Sequence, residues 1–486
     1  MFVILSRLKK KGKYSLVFFL WICYDSYEKK DKTFKTKVRE PMQMDLTRGG
    51  ITRPMLLFAG PMIAGNLLQQ CYNIVDTLIV GRALGASALA SVGFSFTLMT
   101  FLTSVLLGLC MGSGALWSML YGAEREEELK RCLFASFVFI GAVAVLLNVG
   151  VLALLEPVMT LLRIPAGAWD ETRAYLRVVL LGVCFTFLYN YFACLLRSVG
   201  NSVAPLAFLA VSTVLNIGLD LIFVPVLHWG VAGVAIATAI AYTVSAATLF
   251  IRLLKTDSVV RVTPRDLGLD PVALKRIVKI GLPAGIQSAV FAVANIIIQS
   301  AINSLGTEVM AASSAAMSLE YVCYNLLNSF SQACTTFVGQ NHGARQIDRC
   351  TKTLKVCLIE GGIVALTTIV IIVGLGREIL ALFNSDPNIV SIGYIRVCSI
   401  FPAYAFSMFY ENMSGYLRGF GISLMPALIT MICVCGIRFY WVFCVFPNFR
   451  TFANIMMVYP ISLGTTAFFM VVAVLLCHPA RTYRLT

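Results

Sequence analysis

The stretch CLFASFVFIGAVAVLLNVGVLALL, residues 132–155, contains no charged side chain. About 20 mainly apolar residues are enough for one helix to cross the hydrocarbon core of a bilayer. Residues 132–155 therefore predict a transmembrane helix. Charge-free runs of comparable or greater length recur at 83–123, 178–196 and 280–307, so the same prediction extends along much of the chain.

The composition of the whole chain supports a polytopic membrane protein. Of its 486 residues, 58% are hydrophobic and only 13% are charged, whereas soluble domains carry roughly 25% charged residues. A soluble enzyme and an intrinsically disordered chain are both excluded by these values. The apolar residues form long runs rather than alternating, which argues against a transmembrane β-barrel. We therefore expect an all-α membrane protein.

Turn signals and charge clusters divide the apolar sequence into twelve predicted transmembrane helices. Their predicted bounds are 54–80, 87–119, 132–157, 174–197, 203–226, 230–253, 279–303, 309–338, 354–376, 389–417, 423–446 and 453–477.

The basic residues predict the orientation of these helices. The net charge is +15, and most of the 39 lysines and arginines lie in segments that share one side if the N-terminus is cytoplasmic. Cytoplasmic loops carry such an excess of Lys and Arg. We expect a multi-pass protein of the cell (inner) membrane, with both termini cytoplasmic and no nucleic-acid partner. Residues 1–43 predict a disordered basic tail, and a true start at Met42 or Met44 is equally consistent with the sequence.

The two halves of the chain repeat each other at an offset of 221 residues, which predicts two pseudo-symmetric six-helix lobes. An even number of helices per repeat relates the lobes by an axis along the membrane normal. The predicted organisation is an N-lobe at 44–251, a cytoplasmic linker at 252–278 and a C-lobe at 279–486. The matched pairs are Gly85/Gly306, Gly122/Gly343, Arg197/Arg418, Gly200/Gly421 and Pro205/Pro426.

Two such lobes can rock against each other and expose a central cavity to either side in turn. The sequence contains no Walker A loop, no HExxH motif and no nucleophile–base pair, so an enzyme is not expected. It also lacks cysteine and histidine spacings typical of metal sites, and no cofactor is predicted. An ion gradient is the expected energy source.

Ionisable residues inside predicted helices are costly in a bilayer, so each is a functional candidate. Asp76 lies late in the first helix, while Asn216 and Asp220 lie four residues apart on one face of the fifth. Both helices run outward, so the two carboxylates are expected at similar depth in the N-lobe. Desolvation would favour a protonated carboxyl there, and the same oxygens could instead bind Na⁺.

Two further acids lie in predicted helices of the C-lobe. Glu411 precedes Arg418 by seven residues, and its counterpart in the repeat is Asn190. Glu320 lies in the middle of the eighth helix. Arg438, in the eleventh helix, could neutralise either acid, and the acid it pairs with would then have a structural role.

Several motifs in the expected order resemble the MATE (multidrug and toxic compound extrusion) transporters, in particular the bacterial branch. They are the residues of the first helix and following loop within 60–93, the stretch FVGQNHGA at 337–344, and the paired turns LRSVGN at 196–201 and LRGFG at 417–421. The resemblance extends from about Asp45 to the C-terminus.

The resemblance implies an antiporter in which a Na⁺ or H⁺ gradient drives export of organic, often cationic and aromatic, compounds. It implies a cation site formed by Asp76, Asn216 and Asp220, with Asn190 and Thr238 as candidate polar partners. A monomer in the lipid bilayer is expected. The alternative is a flippase for a lipid-linked sugar or a similar amphiphile, which would need several basic residues in its cavity.

Overall fold

The computed structural model describes residues 44–161, 169–255, 270–382 and 386–477, together with residues 260, 268 and 479. Within these ranges the chain is helical and has no β-strand. The predicted tail at 1–43 and part of the predicted linker, at 256–259, 261–267 and 269, lie outside the described residues.

Twelve long helices follow one another along the described chain. They are α1 (Thr52–Ala83), α2 (Ala86–Gly122), α3 (Glu126–Ala153), α4 (Trp169–Ser198), α5 (Val203–Phe223), α6 (Gly230–Lys255), α7 (Pro271–Asn303), α8 (Thr307–Gly343), α9 (Ile347–Gly374), α10 (Pro387–Ile400 with Tyr404–Gly419), α11 (Leu424–Val445) and α12 (Phe452–Cys477). Short helices extend α3 and α9 at Leu155–Leu161 and Gly376–Ala381.

The predicted helix count agrees with this architecture. Among the described residues, nine helices are long and apolar enough to cross a membrane, and the two parts of α10 form a tenth span if counted together. The other two, α1 and α8, contain 32 and 37 residues and are long enough to cross, but their sequences are more polar. In α1 the polar residues include Asn66, which hydrogen bonds to α8, and Gln69 and Asp76, which belong to the site described below.

Helix α10, which corresponds to the span predicted at 389–417, is bent. Its two parts meet at 44°, and Pro402 lies in the break between them. Proline has no backbone N–H and its ring clashes with the preceding turn, so a helix kinks at such a position. Hydropathy alone does not reveal the bend because both parts are apolar.

Helix α7 begins at Pro271, eight residues before the predicted start of the C-lobe. The Asp270 side chain accepts hydrogen bonds from the backbone N–H groups of Val272 and Ala273 at 2.8 and 3.4 Å. An aspartate N-cap followed by proline is a strong start signal for a helix. The start lies before the charge cluster of Lys275, Arg276 and Lys279, which is typical of a loop rather than of a transmembrane helix.

The lobes contact each other closely where α2 packs against α7. A Cβ on Gly112 would stand 2.6 Å from the Cα of Gly281, and one on Gly108 would stand 2.6 Å from the carbonyl oxygen of Ala284. Gly281 and Gly285 repeat the four-residue spacing of Gly108 and Gly112. Small residues at this spacing let two membrane helices approach backbone to backbone.

The C-terminal ends of α2 and α8 close one end of the space between the lobes. A Cβ on Gly122 would stand 2.0 Å from the carbonyl oxygen of Gln340, and one on Gly343 would stand 1.9 Å from that of Met119. Gly122 and Gly343 are partners in the repeat, so the crossing lies at the pseudo-two-fold axis. Only glycine at both positions permits this approach.

The segment before α1 is also held at this end. The Met44 backbone N–H donates to the Gly200 carbonyl at 3.1 Å, and the Asn341 side chain donates to the Leu46 carbonyl at 3.1 Å. Leu46 is fully buried. The segment therefore contacts both lobes where α2 and α8 cross.

Candidate functional site

Helices α1 and α5 pack together in the N-lobe and bring three predicted residues to one place. Asp76 is 9% exposed, Asn216 is 2% exposed and Asp220 is fully buried. These three side chains therefore lie on the inward faces of their helices. Neighbouring positions on the outward faces are apolar and exposed, as Leu221 illustrates. The packing of α1 against α5 therefore places these buried side chains in one region of the N-lobe.

The carboxyl groups of Asp76 and Asp220 lie within hydrogen-bonding reach of each other. Neither carboxylate oxygen of Asp220, nor Oδ1 of Asp76, accepts a hydrogen bond from any donor in the described ranges. Two adjacent carboxylates in a buried site repel each other strongly when both are charged. A bound proton or cation between them removes that repulsion.

Polar groups from α5 and α6 continue the site. The Asn216 side-chain amide donates to the Thr238 hydroxyl at 3.4 Å, while its Oδ1 has no partner among the described residues. Asn216 and Thr238 line a small cavity together with Tyr72 and Tyr242. The site thus offers carboxylate, amide and hydroxyl oxygens, which are the ligands that hard cations take.

Asn190, the other candidate partner, is half-buried in α4. Its side-chain amide donates to the Thr186 carbonyl of the same helix at 2.8 Å. This hydrogen bond stays within α4 and does not link Asn190 to the two aspartates.

Three tyrosines near the carboxyl pair were not predicted as site residues. Tyr175 of α4 interacts electrostatically with Asp76 and Asp220, and Tyr72 hydrogen bonds with Tyr242. Gln69 also donates to the Tyr242 hydroxyl, at 3.2 Å. Tyrosines are frequent in this chain, so composition and spacing gave no signal that separated these three from the others.

Glu320 forms a buried ion pair with Arg396, in which both guanidinium nitrogens Nε and Nη2 donate to its carboxylate. Arg396 also donates to the Ser313 hydroxyl at 2.5 Å. Both charged side chains are buried, so each neutralises the other. The pairing gives Glu320 a structural explanation that needs no transported ion.

Arg438 does not pair with either acid that the sequence analysis suggested. Its Nη1 donates to Asn295 Oδ1 at 2.7 Å, and its guanidinium lies 4.7 Å from the ring centroid of Tyr459 and 5.1 Å from that of Phe291. Arg396 supplies the partner of Glu320 instead. Sequence spacing cannot distinguish these two arginines, because the rotation of each helix about its own axis decides which arginine faces Glu320.

Two buried acids remain in the C-lobe. Glu411 of α10 interacts electrostatically with Arg418, and its backbone carbonyl accepts a hydrogen bond from the Ser331 hydroxyl at 2.8 Å. Glu360 of α9 is 7% exposed, and neither of its carboxylate oxygens has a partner among the described residues. Glu360 is not among the predicted site residues, although an acid inside the predicted helix 354–376 is a signal that the sequence carries.

The family comparison agrees with the internal repeat. The sequence model of the MatE family matches the chain twice, at residues 61–222 and 283–443. The two matches correspond to the two halves identified from the repeated motifs.

Curated bacterial proteins resemble most of the chain. A probable multidrug resistance protein, YpnP of Bacillus subtilis, is 27% identical over 81% of this chain and 88% of its own. The probable multidrug resistance protein NorM of Thermotoga maritima is 24% identical over 80% of this chain and 84% of its own. The multidrug export protein MepA of Staphylococcus saprophyticus is 25% identical over 71% and 76%.

Solved structures share the fold. One is an outward-facing multidrug resistance MATE family transporter, and another is a MOP superfamily transporter from Pyrococcus furiosus. Each has a TM-score of 0.84 and 20% identity, and covers 93% of this chain and 100% of its own.

Proposed function

This chain belongs to the MatE family, and on that basis we propose that it is a cation-coupled antiporter that exports organic, often cationic and aromatic, compounds by alternating access. Its curated relatives are named as multidrug resistance or export proteins, which supports a drug-sized organic substrate. We also propose that it works as a monomer with both termini in the cytoplasm. The end closed by Gly122 and Gly343 then faces the cytoplasm.

The opposed carboxyl groups of Asp76 and Asp220 are the observation that carries the coupling mechanism. A coupling ion drives a conformational change only if it binds one state better than the other. The affinity of this pair for H⁺ or Na⁺ depends on their separation and on the access of water. Movement of α1 relative to α5 changes the separation of the carboxyl groups and the access of water to them. Ion binding in the N-lobe can therefore shift the equilibrium between the two conformations.

Both H⁺ and Na⁺ suit the site. A proton shared by Asp76 and Asp220 needs no further ligand, whereas Na⁺ would also use Asn216 Oδ1 and the Thr238 hydroxyl. Among the described residues, no group of three or more His, Cys, Asp or Glu side chains is placed to hold a metal ion. Two carboxylates with neutral oxygens are suited to a weakly held ion that must be released in each cycle.

The test is drug uptake into inside-out vesicles under an imposed pH or Na⁺ gradient. We expect Asp76→Asn to lower gradient-driven uptake by about tenfold or more, because asparagine keeps the size but carries no negative charge. Glu308→Gln, at an exposed acid in the first turn of α8, is the control and should retain uptake. Normal uptake by Asp76→Asn under both gradients would disprove the assignment.

A flippase for a lipid-linked sugar or similar amphiphile is the second candidate. One observation favours it: Arg197 and Arg418 both line the cavity between the lobes, where a phosphate could contact them. A flippase of this kind would move labelled lipid between leaflets of reconstituted vesicles. Gradient-driven uptake of a cationic dye without lipid movement would favour the antiporter.

A further inference from the structure

A cavity between the lobes brings together two arginines that are partners in the repeat. Arg197 ends α4 of the N-lobe, and Arg418 ends α10 of the C-lobe. The polar side chains of Gln332, Thr335 and Thr336 on α8 complete the polar part of the lining. The cavity therefore lies at the pseudo-two-fold axis, next to the crossing of α2 and α8.

The two guanidinium groups have few partners. Arg197 Nη1 donates to Gln332 Oε1 at 3.3 Å, and Arg418 Nη2 donates to the Ser414 hydroxyl at 2.7 Å. The Nε atoms of both arginines are inaccessible to solvent and have no hydrogen-bond partner among the described residues. Arg418 itself is 6% exposed.

Acidic residues compensate this charge only in part. Glu411 interacts electrostatically with Arg418 from two turns earlier in α10. In the part of the chain that the structure describes, neither arginine forms an ion pair with a carboxylate within 4.0 Å. Arginine stays charged and can only donate hydrogen bonds. A group that would both accept hydrogen bonds from the two arginines and compensate their charge is therefore an anion.

We propose that a small monovalent anion, chloride or a carboxylate of similar size, binds between Arg197 and Arg418 in this conformation. The cavity has a volume of about 30 Å³, which suits a small anion and is far below the size of a drug-binding pocket. Arg197 and Arg418 both line the cavity, and their side chains are the donors to the anion. The anion offsets the part of the cations' burial cost that Glu411 does not compensate.

The anion links the two lobes, because Arg197 and Arg418 belong to different ones. Rocking of the lobes separates the arginines and removes one half of the site. The anion therefore binds the conformation closed at Gly122 and Gly343 more tightly, and it stabilises that conformation by mass action. This role is distinct from the coupling ion proposed for Asp76 and Asp220, and it does not depend on the direction of transport.

Thermal unfolding of the purified protein in detergent tests the site. Sodium chloride and sodium acetate are compared with sodium gluconate, whose anion is too large, at one ionic strength. We expect chloride or acetate to raise the unfolding midpoint saturably, by about 3 °C or more. The rise should disappear in Arg197→Gln and Arg418→Gln and persist in Arg53→Gln, where the arginine is exposed. An equal rise in all variants would overturn the proposal.

A second measurement covers the case in which a glutamine variant fails to fold. Cys194 lines the same cavity and is buried, so its rate of labelling by a maleimide reports opening of the lobes. In a protein whose only cysteine is Cys194, chloride should slow labelling at least about threefold relative to gluconate. Arg418→Lys should reduce this protection, and unchanged labelling with chloride would contradict the proposal.

Inorganic phosphate is a further comparison. If phosphate slowed the labelling of Cys194 more than chloride does, the result would contradict the proposal and would favour the flippase. Gradient-driven dye uptake by Asp76→Asn tests the antiporter separately.

Discussion

Single residues carry the chemistry of this protein because a charge inside a bilayer is expensive. Among the described residues, the buried acids in helices include a pair of like charges at Asp76 and Asp220, an ion-paired acid at Glu320, an acid near an arginine at Glu411, and a partnerless acid at Glu360. The aspartate pair and Glu360 have no arginine beside them to compensate a negative charge. Those are the positions where binding of H⁺ or Na⁺ changes the energy of a conformation most.

The two aspartates should act as one unit. We expect Asp76→Asn and Asp220→Asn each to remove most gradient-driven uptake, and the double variant to be no worse than either single one. Residues in direct contact show such non-additivity, since either substitution disables the shared site. Initial rates in inside-out vesicles give the comparison. Two independent, multiplying defects would show that the carboxyl groups bind ions separately.

The Glu320–Arg396 pair should instead affect stability. Removal of one partner of a buried ion pair leaves an uncompensated charge and typically costs about 3–5 kcal/mol. We expect Glu320→Gln to lower the thermal unfolding midpoint in detergent strongly, and a double replacement of both residues by leucine to be milder. If Glu320→Gln kept full stability and lost only uptake, Glu320 would belong to the transport pathway.

At the scale of helices, glycine decides where two elements can touch. The positions that matter are Gly122 and Gly343 at the ends of α2 and α8, where backbones meet without a Cβ between them. Each glycine is matched by the other in the repeat, so one crossing forms from two copies of one motif. The closed end of the molecule therefore depends on the absence of a Cβ atom at both glycines.

A methyl group at this crossing should open it. Gly122→Ala would place a Cβ 2.0 Å from the Gln340 carbonyl oxygen, a contact that real structures do not tolerate. We expect Gly122→Ala and Gly343→Ala each to speed maleimide labelling of Cys194, because the closed conformation loses stability. Gly150→Ala in α3 is the matched control, since no atom lies within 4 Å of its Cβ. Equal labelling of all three variants would contradict the closed crossing.

At the scale of the whole molecule, two six-helix lobes meet along α2, α7 and α8 and surround a polar centre. The close glycine contacts of α2 with α7 lie on one side, while α1 meets α8 partly through polar contacts, such as the Asn66 amide donating to the Ser329 hydroxyl at 3.0 Å. This asymmetry makes the α2–α7 contact the firmer of the two. Rocking about that contact would open the other side more.

The proposed orientation can be tested with two cysteines at exposed positions. Asn388→Cys, at the start of α10, should react with an impermeant maleimide applied outside intact cells. Arg345→Cys, after α8, should react only when the membrane is permeabilised. Both positions are exposed, so burial does not explain a difference between them. The reverse pattern would show that the closed end faces outward.

The sequence by itself determined the class, the number of helices and the repeat, because the need for about 20 apolar residues per crossing is local along the chain. It also singled out Asp76, Asn216 and Asp220 as candidates, since charged and amide side chains in an apolar run stand out against their neighbours. The tertiary structure alone decided which charges meet: Arg396 with Glu320, and Arg197 with Arg418 at one cavity. These encounters depend on how each helix rotates about its axis when it packs. No local pattern encodes that rotation, because it follows from contacts between residues far apart in the chain.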